Sequence, residues 1–178
     1  MSYFPTGFNF SIIGGGTGMK YMRIHYKKAD GTHVGYHDVL ITGGSTDPSG
    51  LVSVNAENNG AWDAAHPYPW TESRGLGTAA PRNTWITYEM NIKYHSTSGQ
   101  GHFRVWQDGI LIFNDTTTKT LVRATDTTDF AYFLTYFNGP PTSEKTLYTD
   151  DHAFTDTTPA GRDAAGYPMI GPVDWSNP

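Results

Sequence analysis

Tyr21, Arg23 and His25 stand two residues apart within the run from Lys20 to Lys27. On an extended strand that spacing turns all three side chains to one face, about 7 Å apart along the chain. Proton abstraction beside a uronate carboxylate needs a cation to neutralise the carboxylate and an acid and a base to move the proton. Arg23 suits the first task, Tyr21 and His25 the second. The same three side chains could simply bind a sugar. A polar strand face turned to water also reads this way.

A second group lies further along. From Ala131 to Phe137, alternation puts Tyr132, Leu134 and Tyr136 on one face and Phe133, Thr135 and Phe137 on the other. Sugars lay their C–H faces on aromatic rings, so Tyr132 and Tyr136 are candidates for a stacking platform. Burial between the sheet and a covering segment is the competing reading. Asp150 and Asp151 are the place to look for calcium, a hard cation that takes oxygen ligands. Strand alternation points them to opposite faces, and no other cofactor is expected. The chain has 7 His, none in a His-x-x-x-His or His-Glu-x-x-His arrangement, so zinc is not expected. With no Cys there is neither a thiol nucleophile nor a disulfide framework.

These groups need strands to hold them, and strand signals are dense. Phe8 to Ile13 reads as a first strand, closed by Gly14-Gly15-Gly16. Lys20 to Lys27 and Val34 to Ile41 flank an Asp30-Gly31 turn, and Leu51 to Asn55 follows. Trp85 to Tyr94 alternates, with Ile86, Tyr88, Met90 and Ile92 on one face. His102 to Gln107 and Ile110 to Phe113 flank Asp108-Gly109, a strong signal for a two-residue hairpin with positive φ. Phe130 to Phe137 and Leu147 to Phe154 complete the set. Pro and Gly interrupt residues 56–83, a long loop whose Trp62 and Trp70 are expected to cover the sheet. Trp85 and Trp106 are expected to be packing residues. Residues 1–155 read as one domain, and 156–178 as an extended Gly/Pro-rich tail anchored by Tyr167 and Trp175.

No helical period appears, so the expected fold is an all-β antiparallel sandwich or barrel. Length and composition agree: 178 residues suit one domain, and 20 Gly, 11 Pro and 14% aromatic residues suit strands and turns. The net charge is −5, and residues 126–178 hold 8 acidic against 2 basic side chains, so generic nucleic-acid binding is not expected. No apolar run reaches the roughly 18 residues that suggest a membrane-spanning helix, and no secretory signal opens the chain.

Two segments carry a family likeness. Trp85-Ile86-Thr87-Tyr88-Glu89-Met90-Asn91-Ile92-Lys93 is followed by the hairpin Gly101-His102-Phe103-Arg104-Val105-Trp106-Gln107-Asp108-Gly109. The ending Leu147-Tyr148-Thr149-Asp150-Asp151-His152-Ala153-Phe154 fits the same pattern. Over about residues 83–155 the chain resembles the concanavalin A-like lectin/glucanase superfamily, and within it polysaccharide lyases of the glucuronan-lyase and heparin-lyase kind. The resemblance implies a jelly-roll of two stacked sheets, one concave, with glycan in the groove. The Glu-x-Asp-x-x-Glu arrangement of the glucanase branch is absent, and hydrolysis normally needs two carboxylates at one site.

The sequence therefore leads to a non-catalytic carbohydrate-binding or structural module. Its glycan contacts would be Tyr21, Arg23, His25, Tyr132 and Tyr136. The alternative is a lyase acting through Tyr21, Arg23 and His25. Glycan is the expected partner, with other protein subunits reached through the tail, at an extracellular location or on the surface of a virus or other particle.

Overall fold

The computed structural model describes residues 1–10, 18–43, 50–58, 74–137, 139, 144, 146–150 and 152–171, with backbone alone at 57, 58, 74, 75 and 134–136. Trp62, Trp70, Asp151, Trp175 and the side chain of Tyr136 lie outside this set.

Among the described residues there is no helix. Eleven strands follow in order: β1 Ser2–Tyr3, β2 Met19–Lys27, β3 His33–Thr42, β4 Leu51–Asn58, β5 Arg74–Ala79, β6 Trp85–Ile86, β7 Tyr88–Lys93, β8 His102–Gln107, β9 Ile110–Asp115, β10 Thr127–Phe137 and β11 Tyr148–Thr149. They form a five-stranded sheet (β10-β2-β3-β4-β5), a three-stranded sheet (β7-β8-β9) and a small sheet (β11-β1-β6), and the paired strands run antiparallel. The expected all-β antiparallel class holds.

The two larger sheets enclose an apolar layer in a sandwich-like arrangement. Met22, Val39, Ile41 and Val54 come from the five-stranded sheet, and Tyr88, Phe103 and Val105 from the three-stranded one. Phe4, Phe8 and Phe10 close one end, with ring centroids 4.8 to 5.1 Å apart. Of the strand expected at 8–13, residues 8–10 are not in a strand and the rings of Phe8 and Phe10 serve as filling, while 11–13 lie outside the described residues. The expected final strand, 147–154, contracts to Tyr148–Thr149.

The hairpin between β8 and β9 turns through Asp108 at φ 50° and Gly109 at φ 76°. Both lie in the left-handed region that the Asp-Gly pair predicts. The Asp108 carboxylate accepts from the Thr87 main-chain N–H at 2.8 Å, which ties the turn to the break between β6 and β7.

The tail through Gly171 lies across the outer face of the three-stranded sheet. Trp106, fully buried, donates its indole N–H to Asp163 at 2.7 Å. The Arg104 guanidinium sits 4.0 Å from the Tyr167 ring centroid, so Tyr167 is an anchor as expected. Glu89 accepts the main-chain N–H groups of Ile170 and Gly171, at 2.7 and 3.0 Å. Trp106 thus packs beneath the tail, outside the layer between the sheets. Trp85 is 46% exposed and only leans on Tyr3, at 5.7 Å, which corrects its reading as a packing residue.

Candidate functional site

The expected Tyr21–Arg23–His25 stripe does not exist as one face. Lys20 pairs with Leu40 but Met22 with Val39, so β2 carries one extra residue, a bulge at Tyr21. A bulge sets two residues against one and resets the alternation. Met19, Tyr21 and Met22 therefore all enter the apolar layer, while Arg23 and His25 turn to the opposite face. Tyr21 lies edge-on to Tyr88 at 5.2 Å, and its hydroxyl shares a short hydrogen bond with Ser2. Burial pushes its pKa up to about 12, against the pull of that hydrogen bond. Tyr21 is a core residue and leaves the candidate site.

The opposite face of the five-stranded sheet is built around Arg23. The Asp30-Gly31 hairpin sets Arg23 directly opposite Asp38. Nε and Nη2 of the guanidinium engage the two carboxylate oxygens of Asp38. Asp38 is fully buried and Arg23 is 6% exposed. The guanidinium also lies 3.4 Å from the Tyr36 ring centroid, and Lys20 Nζ approaches the same ring at 5.7 Å. The paired charges compensate each other in a site where a single charge would be costly.

His25 lies beside this pair, and Tyr132 is on the same face. His25 Nε2 and the Tyr132 hydroxyl are 3.0 Å apart, while His25 Nδ1 is 3.3 Å from His33 Nδ1. The rings of Phe130 and His25 stack nearly parallel at 4.3 Å, with Phe130 and Tyr132 at 5.5 Å. Phe130 is 49% exposed, His25 only 9%. Burial, then the neighbouring His33 and Arg23, lowers the His25 pKa to about 4, so the imidazole is neutral at pH 7. The partly exposed Lys27–Asp129 ion pair, at 2.7 Å, lies on the adjoining ends of β2 and β10.

The structure thus brings Arg23, His25 and Tyr132 together and removes Tyr21. Asp150 is exposed on the chain just after β11, its main-chain N–H bonded to the Met1 carbonyl at 2.9 Å. No group of three or more His, Asp or Glu placed to hold a metal occurs among the described residues. Asp38, Tyr36, His33 and Phe130 join the site although sequence reasoning did not select them. Asp38 had a signal: it is the one acidic residue of β3, and a two-residue turn at Asp30-Gly31 puts it opposite Arg23. Phe130 had one too, standing two residues before Tyr132.

Chemically, the face offers a half-exposed aromatic surface, a phenol, a neutral imidazole and an internally neutralised guanidinium. Such a set can stack on an apolar ring face and donate or accept a few directed hydrogen bonds. Because Asp38 already compensates Arg23, the site has little free positive charge for a substrate carboxylate. No protein-family model, curated protein or solved structure matches the chain.

Proposed function

We propose that the chain is a non-catalytic carbohydrate-binding or structural module of the concanavalin A-like jelly-roll kind. Its glycan surface is the Phe130–His25–Tyr132 face with Arg23 and Asp38 beside it. One observation carries this reading: Phe130 keeps half its surface in solvent while stacked on His25, next to hydrogen-bonding groups on the same sheet. Sugar sites combine these elements, an aromatic plane and a few oriented polar groups on a rigid scaffold.

The test is binding of the intact protein to a glycan array, followed by titration of any sugar retained. Phe130→Ala should weaken binding about tenfold, the scale of a lost aromatic contact, with little change in melting temperature. If no glycan in the array is retained, the glycan half of the reading falls and a structural role remains.

A second reading has its own support. The 3.0 Å contact between His25 and Tyr132 is an acid–base geometry suited to β-elimination. Incubation with alginate, glucuronan and heparin, followed by absorbance of the unsaturated product, decides it. Product from the parent but not from His25→Gln would make the protein a lyase.

A further inference from the structure

Arg23 and Arg104 are almost equally buried, yet only Arg23 has a counter-ion. Arg23 is 6% exposed and paired with Asp38. Arg104, on β8, is 7% exposed, and among the described residues no carboxylate lies within ion-pair distance of it. A guanidinium drawn out of water without an anion is costly, so the partners that Arg104 does have decide what it can do.

Arg104 Nε donates to Asn114 Oδ1 at 3.0 Å, and the ring of Tyr167 in the tail lies over the guanidinium. Nη1 stands 3.4 Å from His102 Nε2. Burial, then Arg104 and Lys93, lowers the His102 pKa to about 4, so its ring carries one proton at neutral pH and no charge. That proton sits on Nε2, because the same nitrogen is 2.6 Å from Asn91 Oδ1, an oxygen that only accepts. His102 Nε2 therefore cannot accept a hydrogen bond from Arg104. Nη2 has no partner among the described residues and is not sealed from solvent. The Nη1–Nη2 edge of the fork is thus open.

The surroundings add positive charge and no free negative charge. Strand register sets Asn91 and Asn114 on either side of Arg104, and Lys93 opposite His102. Lys93 is exposed and has no ion pair among the described residues. The carboxylates that hold the tail on this face are engaged. Glu89 accepts from Ile170 and Gly171, and Asp163 from Trp106, Ala165 and Tyr167.

We propose that the open edge of Arg104, with Lys93 beside it, binds an oxyanion that presents two oxygens, a carboxylate or a sulfate. Two parallel N–H···O bonds from one guanidinium match such a group. The ligand does for Arg104 what Asp38 does for Arg23. The small exposed area suits a free ion or a terminal group of a larger molecule. This site lies on the three-stranded sheet and involves none of the residues of the proposed glycan face.

The test is an NMR titration of the intact protein at fixed ionic strength, with sulfate or acetate replacing chloride. The Arg104 Nε–Hε and His102 ring signals are followed. Both anions should shift them saturably, where chloride does not. Glucuronate and glucose separate the sources: tighter binding of glucuronate than of acetate supports a sugar-borne carboxylate, and equal binding supports a free ion. Arg104→Gln, read from the His102 ring, should weaken sulfate at least about tenfold, the scale of a charge-assisted hydrogen bond. Arg104→Lys keeps the charge without the fork and should fall between that variant and the parent. Lys93→Gln, at an exposed position, should weaken sulfate about 2- to 3-fold. Absence of saturable shifts in the parent would overturn the proposal, and so would glucose shifting the same signals as strongly as glucuronate. Parent-like affinity in Arg104→Gln would overturn it as well, and parent-like affinity in Arg104→Lys would overturn recognition by the fork.

Discussion

Arg23 and Asp38 face each other across β2 and β3 as a two-point ion pair, sealed from solvent and roofed by the ring of Tyr36. The expectation from sequence was an Arg23 free to clamp a ligand carboxylate. The pair makes it part of the sheet's internal structure instead. Removing one partner leaves an uncompensated charge in a dry site, so Asp38→Asn should cost about 3–5 kcal/mol of stability. Replacing both together, as Arg23→Met with Asp38→Leu, should recover much of that loss. Urea unfolding of the three proteins is the check, and an Asp38→Asn loss below about 1 kcal/mol would contradict a buried, compensated pair.

The β8–β9 turn makes a sharper demand on a single residue. Gly109 has φ 76°, and a Cβ added there would meet open space, so the cost of a side chain is conformational and not steric crowding. Gly109→Val should destabilise by more than about 1–2 kcal/mol, because a β-branched residue is strained in the left-handed region. Gly109→Asn should cost clearly less, since Asn tolerates that region. Equal melting temperatures for all three proteins would remove the hairpin's dependence on positive φ.

Histidine burial sets a pH limit on the fold. His37 is 2% exposed among Tyr26, Tyr94 and Phe103, and burial lowers its pKa to about 3. His25 and His102 are each lowered to about 4. The unfolded chain takes up these protons near pH 6.5, before the folded chain does. Between the two values the unfolded state binds more protons, so stability falls as pH drops below about 6.5, by up to about 1.4 kcal/mol per pH unit for each histidine. Above that range these groups contribute no slope. Urea midpoints measured from pH 8 down to 4.5 should show this profile, and His37→Phe should make the acid limb shallower. An acid limb of unchanged steepness in that variant would show that His37 is not buried neutral.

The tail's contacts can be read out through one fluorophore. Trp106 is fully buried with Asp163 on its indole N–H, and Glu89 holds the tail at Ile170 and Gly171. Deleting 160–178 should expose Trp106, red-shift its emission and leave the β-sheet circular dichroism intact. Glu89→Ala should move the emission part of the way. A deletion protein that fails to fold would make the tail a layer of the core.

Much of this architecture was legible because strand alternation and turn chemistry are local. The Asp108-Gly109 hairpin, the β7 face of Tyr88, Met90 and Ile92, and the tail's anchor at Tyr167 could all be read from neighbouring residues. The bulge at Tyr21 could not. An extra residue in a strand leaves composition and polarity nearly unchanged, yet it moves Tyr21 into the core and separates it from Arg23 and His25. The contraction of the expected last strand, 147–154, was hidden for a similar reason. Aromatic and apolar residues there reach their partners from irregular chain, with Phe154 packing on Phe133. The site was half legible: Arg23, His25 and Tyr132 meet, but the partners that determine their chemistry, Asp38, His33 and Phe130, come from register and pairing across strands.

The small sheet has a consequence in time. Ser2 pairs with Ile86 on one side and Thr149 on the other, so β1 must wait for almost the entire described chain before both of its neighbours exist. Closing loops of that length costs entropy before any contact repays it, whereas the β2–β3 and β8–β9 hairpins close over a few residues. Assembly should therefore run from the local hairpins inward and finish by seating the N-terminal strand. Pulse-labelled hydrogen exchange during refolding should protect the Val105 amide well before that of Tyr3. Until that last step the apolar end formed by Phe4, Phe8 and Phe10 stays open, and a slow-folding or stalled chain would be most prone to aggregate there.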